Sequence, residues 1–105
     1  MTEKLVLCTT SNIKEAQNIA KLLVEEKLVA CVNILPGIQS IYIWENKIQN
    51  DNECLMLIKT TLKALPLLKI KIKEIHSYST PEIIALDITE GSKEYLNWVK
   101  QNVKN

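Results

Sequence analysis

The sequence contains no arginine, and it has a single histidine among its 105 residues. All 13 basic residues are therefore lysines, which offset 12 acidic residues and leave a formal charge of +1 at pH 7. Arginine supplies the bidentate contacts by which proteins recognise phosphate groups and guanine bases. Because the chain lacks that residue type and any marked excess of positive charge, we do not expect it to bind nucleic acid.

Other features are also missing, and each absence narrows the class of protein. No apolar run approaches the roughly 18 residues that a membrane-spanning helix needs. The N-terminal segment MTEKLVLCTT has no charged leader followed by a long apolar region and a cleavage site. The three cysteines are odd in number and lack CxxC spacing, which argues against a disulfide framework and a sequence-local zinc site. We therefore expect a cytoplasmic protein with reduced cysteines and no membrane partner.

What is present suits one globular domain spanning residues 1–105. The composition is 47% hydrophobic and 24% charged, which is typical of soluble globular proteins. A chain of this length buries roughly two thirds of the surface that it exposes when unfolded. That burial is enough for one hydrophobic core but not for two.

The N-terminal part of the chain predicts a strand followed by a helix. The apolar run from Lys4 to Thr10 suits a strand that is buried on both faces. Asn12 and Glu15 have the spacing of a capping box, which marks the start of a helix running from about residue 12 to 27. The apolar residues that share one face of this helix are Ile13, Ala16, Ile19, Ala20, Leu23 and Val24.

The middle of the chain predicts a β-hairpin that is too long for a domain of this size. Residues 28–61 are rich in β-branched residues, with turn signals at Pro36-Gly37 and around Asn46. We place the hairpin turn at Asn46, which tolerates a left-handed backbone, and a bend or bulge at Pro36-Gly37. Arms of about 14 residues extend roughly 45 Å, whereas a domain of this length has a radius of gyration of about 13 Å. An isolated ribbon is marginal in water, so we expect another subunit to cover it.

The remaining segments predict a helix, a strand and a second helix. Pro66 suits the first turn of a helix, although the alternation of lysine and isoleucine over residues 69–73 also suits a strand. The segment EIIALDI, which follows Pro81, predicts a buried strand. Gly91 and Ser92 then precede a final helix, KEYLNWVKQNV.

The order of these elements predicts an α+β, ferredoxin-like βαββαβ fold with an added C-terminal helix. Right-handed crossovers in this pattern place the strands in the order 4-1-3-2. The helices then cover one face of the sheet. Because the predicted strands are apolar on both faces, we expect the second face to be buried in an oligomer.

The motifs resemble those of the CutA divalent-cation tolerance family. The matching segments are ACVNILPGIQSIYIWENKIQNDNECLMLIKTT, IHSYSTPEIIAL and YLNWV, and the resemblance runs over nearly the whole chain. It implies a cytoplasmic homotrimer of ferredoxin-like subunits, similar in architecture to PII signalling proteins. It also implies a role in tolerance to metals, with copper or another divalent cation as ligand, no required cofactor and no established reaction.

Residue by residue, the resemblance points to Cys8 and His76, which match copper-binding positions proposed in some members. The topology supports the pairing, because the first strand and the second helix run the same way and end at one edge of the domain. Nearby, the sequence departs from the family pattern. Ile75 stands where some members have a second histidine, and Ser77 and Ser79 replace a proline and a glutamate. These changes remove two candidate metal ligands.

Each candidate also has a purely structural explanation. A cysteine in an apolar strand is usually a small core residue, which we favour for Cys31 and Cys54. Cys8 is the better candidate ligand because it is predicted to end its strand. A histidine in the last turn of a helix often interacts with the helix dipole and the free carbonyls. The hydroxyls and N–H groups of residues 9–12 can hold an anion, but helix capping explains them equally.

Subunit packing is the first explanation of the large aromatic residues Tyr42, Trp44, Tyr78 and Trp98, and a second kind of site is the functional alternative. We predict a ligand pocket in which Tyr78 and Glu82 of one subunit meet Trp44 of a neighbouring hairpin. No Ser-His-Asp, HExxH, Walker or GxGxxG pattern nominates a reaction, so we do not expect an enzyme. The alternatives to a metal-response module are a PII-like sensor of small molecules and a structural scaffold for a partner protein.

Overall fold

The computed structural model describes residues 2–104, which form a four-stranded antiparallel sheet and three helices. In chain order the elements are β1 (Glu3–Thr10), α1 (Ile13–Glu25), β2 (Cys31–Trp44), β3 (Lys47–Thr61), α2 (Leu65–Ile75), β4 (Ile84–Asp87) and α3 (Lys93–Gln101). The strands lie in the order β2-β3-β1-β4, which is the predicted order counted from the opposite edge. The predicted ferredoxin-like fold with a C-terminal helix is therefore confirmed.

Local sequence signals explain where the helices begin and end. The side chain of Asn12 accepts a hydrogen bond from the Glu15 backbone N–H, so α1 begins at residue 13. It ends at residue 25, slightly earlier than predicted, because Lys27 has a left-handed backbone with φ of 58°. Pro66 occupies the first turn of α2. The segment 69–73, whose alternating lysines and isoleucines also suited a strand, is therefore helical.

The long hairpin has the predicted turn and the predicted irregularity. Glu45 and Asn46 both have positive φ angles, of 52° and 64°, as a tight hairpin turn requires. The pairing of β2 with β3 shifts register between Leu35 and Ile38, where Gly37 has a φ of 75°. The subunit is 44 Å along its longest axis, and no strand residue of the hairpin beyond this bulge, in 38–44 or 47–53, is buried.

The hydrophobic core lies between one face of the sheet and helices α1 and α2. Side chains alternate between the two faces of a strand, and the buried residues Cys54, Met56, Ile58 and Thr60 of β3 are spaced two apart, as are Val6 and Cys8 of β1. The core residues from the strands and helices include Val6, Cys8, Ile19, Leu23, Cys54, Met56, Ile58, Leu68 and Ile72. Val99 and Val103, at the C-terminal end, form a separate small cluster with Ala30 and Ala64.

The opposite face of the sheet remains apolar and partly open. Its exposed residues include Leu35, Ile84 and Leu86, each of which is between 44% and 50% exposed. The sheet register places these side chains on the face away from Val6 and Met56. The structure thus has the second apolar face that the sequence predicted.

Two strand predictions need correction. The strand predicted for EIIALDI is shorter, because only Ile84–Asp87 pairs with β1, and its four residues are exposed rather than buried. Pro81 has no N–H to donate to a sheet, and the pairing register begins only at Ile84, opposite Leu7. Cys8 does not end its strand, since β1 continues to Thr10, opposite Cys54 in β3.

Within residues 2–104, no helix is long and apolar enough to cross a membrane.

Candidate functional site

His76 is the C-cap of α2, and its imidazole ring is hydrogen-bonded on both nitrogens. Nε2 lies 2.8 Å from the carbonyl oxygen of Thr9, and Nδ1 lies 3.0 Å from the backbone nitrogen of Tyr78. The carbonyl can only accept and the backbone N–H can only donate, so the neutral ring carries its proton on Nε2. The residue is 8% exposed. His76 therefore joins the end of β1 to the loop after α2.

Cys8 lies beside the same carbonyl group. Its Sγ is 3.8 Å from the Thr9 carbonyl oxygen, and the residue is fully buried. The predicted proximity of Cys8 and His76 is therefore observed. Burial, reinforced by the negative charges of Glu82, Glu15 and Glu53, raises the pKa of the Cys8 thiol to about 12. The group is thus a protonated thiol at neutral pH, whereas a metal binds the thiolate.

The other cysteines are separated by the sheet. Cys54 lies opposite Thr10 and faces the helix-covered core, two positions along the ladder from Cys8. Cys31 projects from the opposite face, where its Sγ is 3.9 Å from Lys59 Nζ. Within residues 2–104, no group of three or more His, Cys, Asp or Glu residues is arranged to hold a metal ion. The metal site at Cys8 and His76 remains a prediction that rests on two ligands.

Glu15 is a member of this cluster that the sequence analysis missed. Its Oε2 accepts a hydrogen bond of 2.8 Å from the Ser77 backbone N–H and lies 3.8 Å from His76 Nδ1. Burial acts to raise the pKa of this carboxyl, but hydrogen bonds from Ser77, together with the contributions of His76 and Ser11, leave the pKa below its ordinary value. The capping-box spacing identified Glu15 as a helix-start residue, and nothing in the local sequence indicated its contact with a loop 62 residues away.

The residues from the end of β1 to the start of α1, 9–12, serve mainly as caps. The Thr10 hydroxyl donates to the Asn12 carbonyl oxygen at 2.9 Å, and the Asn12 side chain accepts from the Glu15 N–H at 2.8 Å. Thr9 contributes its carbonyl group to His76. These contacts favour the capping interpretation of residues 9–12 over the anion-binding one.

A cleft of about 710 Å³ opens where the hairpin leaves the body of the domain. It is lined by Thr9, Ser40, Ile41, Tyr42, Trp44, Glu53, Tyr78, Ser79, Thr80 and Glu82. The three residues predicted to form a ligand pocket, Trp44, Tyr78 and Glu82, thus line one cleft. Within the single subunit, Trp44 of its own hairpin lines this cleft, and the contribution of Trp44 from a neighbouring hairpin stays a prediction.

Tyr78 connects the cleft to the buried histidine. Its hydroxyl donates to Glu53 Oε2 at 2.6 Å, and its ring centroid lies 4.8 Å from that of His76. Burial and the bond to Glu53 raise the pKa of the Tyr78 phenol, so the phenol stays neutral. Glu53 is the second site residue that the sequence analysis missed, although its position in β3, two residues before Leu55, places it on the open face of the sheet.

The fold is that of a ferredoxin-like domain with an extended hairpin and a cleft at the base of the hairpin. The family model described as "CutA1 divalent ion tolerance protein" matches residues 4–102. The chain therefore belongs to the CutA1 divalent ion tolerance family. The resemblance identified from the sequence motifs is confirmed.

Individual relatives support the same assignment. A divalent-cation tolerance protein CutA from Thermus thermophilus is 51% identical over 100 residues, which cover 95% of this chain and 97% of that protein. A human protein CutA is 45% identical over 93 residues, 89% of this chain but only 52% of the longer relative. The crystal structure of CutA1 from Oryza sativa has a TM-score of 0.96 and 41% identity, and the match covers 99% of this chain and 95% of that one.

The names of the relatives place them in different compartments. The Arabidopsis thaliana protein CutA is chloroplastic, at 46% identity over 95% of this chain and 55% of its own length. A structure from Archaeoglobus fulgidus is described as a periplasmic divalent cation tolerance protein, with a TM-score of 0.93 over 97% of this chain and 99% of that chain. The cytoplasmic location expected from the sequence therefore stays a prediction.

Proposed function

We propose that this protein acts in divalent-cation tolerance as a cytoplasmic, homotrimeric binding module rather than as an enzyme. The observation that carries the proposal is the exposed apolar hairpin. Ile41, Ile43 and Ile48 share one face of the hairpin and are between 67% and 77% exposed in a single subunit. Soluble monomers rarely expose such contiguous apolar surface, which usually marks an interface.

A closed ring of three subunits would cover the exposed apolar hairpin of every copy. Cyclic symmetry lets each copy present one surface and receive another, so that no hairpin remains uncovered. The open sheet face, with Leu35, Ile84 and Leu86, supplies apolar surface that a neighbour can bury. The resemblance described above favours three copies over two.

The metal-binding hypothesis is tested by calorimetry with Cu(I), Cu(II) and Zn(II). We expect Cys8→Ser and His76→Ala each to weaken binding by about tenfold or more, because each removes one of only two predicted ligands. Binding should release protons, since burial keeps the Cys8 thiol protonated at neutral pH. Cys31→Ser, on the opposite face of the sheet, is the control and should bind as the wild type does. Unchanged affinity in both ligand variants would exclude this site.

A second candidate function is that of a small-molecule sensor resembling PII proteins. The cleft that contains Trp44, Tyr78 and Glu82 favours it, because its volume lies within the range of about 300–1,000 Å³ typical of ligand pockets. A ligand that binds only the folded protein raises the melting temperature by mass action. A thermal-shift screen of small metabolites should therefore yield a stabilising compound.

Variants make that screen specific to the cleft. The stabilisation should fall in Trp44→Leu and Glu82→Gln and persist in Glu25→Gln, which changes an exposed glutamate of α1 outside the cleft lining. Equal stabilisation of the wild type and the three variants would mean that the ligand binds outside the cleft. A screen in which only metal ions stabilise the protein would favour the first function alone.

A further inference from the structure

The outer surface of α2 combines exposed apolar side chains with lysines. Three of the eight exposed residues in the segment 62–74 are large and apolar, and between 52% and 55% of each is exposed: Leu62, Leu67 and Ile70. The other five are Lys63, Pro66, Lys69, Lys73 and Glu74. We call these eight residues the α2 surface. It carries three lysines against one glutamate, whereas the whole chain has a formal charge of only +1.

The helical repeat brings these side chains into one stripe. Residues three and four apart on a helix are neighbours on its surface. Leu67, Ile70 and Lys73 follow one another at intervals of three residues within α2. The buried residues of the same helix, Leu68 and Ile72, belong to the main core. The stripe therefore points away from the core and the sheet.

The α2 surface lies outside the assembly proposed above. The proposed trimer buries the hairpin and the open face of the sheet, whereas α2 covers the other face of the sheet, across the core. The exposed side of α2 points away from both of those regions. Its exposure therefore holds for the assembled protein as well as for the single subunit, and a ring of three subunits displays three copies of it.

The positive charge of the α2 surface is not balanced within the subunit. Lys63, Lys69 and Lys73 take part in none of the ion pairs found among residues 2–104. Lys71 of the same helix, by contrast, has its Nζ 2.9 Å from an oxygen of Glu26 at the end of α1. The first turn of α2 contains no acidic residue, although the positive end of a helix dipole favours one there. The surface therefore attracts negative charge.

We propose that the α2 surface docks an acidic amphipathic helix of a partner protein. This inference is independent of the metal and of the cleft ligand. Apolar side chains of the partner pack against Leu67 and Ile70, as the ridges of one helix pack into the grooves of another. Aspartates or glutamates beside them face Lys69 and Lys73. The contact spans about three helical turns, which is small for an interface, so each copy binds weakly. A partner that carries several such helices gains affinity by binding more than one subunit of the ring.

A lipid surface fits the same residues less well. A helix that lies in a membrane interface buries its apolar face about 5–10 Å into the boundary between headgroups and acyl chains. Leu62, Leu67 and Ile70 are only about half exposed, so little of each side chain is free to insert. Basic clusters that recognise anionic lipids contain about four to eight lysines or arginines, and the α2 surface has three lysines.

The test uses a synthetic acidic peptide of about four helical turns, with leucines at positions i, i+3 and i+7 and glutamates on either side of them. Its matched control carries lysine at every glutamate position. Fluorescence anisotropy of the labelled peptides, titrated with the assembled wild-type protein, measures binding. We expect a micromolar dissociation constant for the acidic peptide and at least tenfold weaker binding of the basic one. The binding of the acidic peptide should weaken at about 0.5 M salt, because salt screens exposed charges.

Variants locate the contact on the surface of the protein. Lys73→Gln should weaken binding of the acidic peptide several-fold, and Lys21→Gln, which changes an exposed lysine of α1, is its matched control. Ile70→Asp places a carboxylate in the stripe and should weaken binding at least tenfold while the oligomeric mass stays that of the wild type. Val24→Asp changes an exposed apolar residue of α1 in the same way and should bind as the wild type does.

The outcomes decide the inference without touching the proposed function. Equal binding of the two peptides, no effect of Ile70→Asp or Lys73→Gln, or no binding of the acidic peptide up to about 1 mM would overturn it. If the protein instead sediments with vesicles of phosphatidylglycerol and phosphatidylcholine, in a manner that depends on Ile70, and does not bind the peptide, the surface contacts membranes and the acidic partner is wrong. Metal binding and the cleft ligand are measured separately, so they stand or fall on their own experiments.

Discussion

Replacing Leu23 by alanine is expected to lower the free energy of unfolding by about 2–5 kcal/mol. Leu23 lies on the inner face of α1, is fully buried, and belongs to the main core cluster with Met56 and Ile72. The substitution removes apolar atoms from a close-packed site and leaves a cavity that the surrounding sheet and helices fill only partly. Equilibrium unfolding in guanidinium chloride, at one fixed protein concentration, measures the change.

The adjacent residue provides the control for this prediction. Leu22 has the same side chain on the same helix but is 39% exposed, so Leu22→Ala tests the helix without opening a core cavity. We expect the loss in Leu22→Ala to be clearly smaller than that in Leu23→Ala. Similar losses in the two variants would mean that the core does not lie where the structure puts it.

Replacing Ile43 by aspartate is expected to disrupt the oligomer while leaving the subunit folded. Ile43 is 72% exposed in the isolated subunit and pairs with Ile48 next to the hairpin turn. If a neighbour buries this ribbon, a buried and unpaired carboxylate at this position costs several kcal/mol per interface. Light scattering should show the mass of the wild type near three times 12.0 kDa, and a smaller species in the variant.

The matched control for assembly is Ile70→Asp. Ile70 is also an exposed isoleucine, at 55%, but it lies in α2, away from the hairpin. This variant should keep the oligomeric mass of the wild type, and both variants should keep their far-UV circular dichroism. A wild type that is monomeric at micromolar concentration would contradict the proposed trimer and the role assigned to the ribbon.

The backbone of this protein could be predicted largely from local signals. Asn46 tolerates the left-handed conformation that a two-residue turn requires, and the turn formed at Glu45-Asn46. Pro36-Gly37 indicated a bulge, and the register shift lies between Leu35 and Ile38. Such signals are readable because they depend on the φ preferences of single residues and their immediate neighbours.

The site was less predictable because its contacts join distant parts of the chain. Glu15 has the spacing of a capping residue, and only the packing of α1 beside the loop after α2 brings it to Ser77. Glu53 was not identified because alternation assigns a face to a strand residue but does not indicate which loop faces it. The first strand ends at Thr10, as its predicted range Lys4 to Thr10 had it, so Cys8 lies two residues inside the strand and not at its end.

The shared role of Tyr78 makes the two proposed sites thermodynamically linked. Its backbone N–H holds His76 Nδ1, and its side chain lines the cleft. A metal shared with Cys8 would have to take Nε2 from the Thr9 carbonyl, and a cleft ligand that moves Tyr78 would change how Nδ1 of the same ring is held. Whatever factor one ligand imposes on the affinity of the other, the reverse effect has the same size. If both proposed sites bind their ligands, the occupancy of each site depends on the concentrations of both ligands.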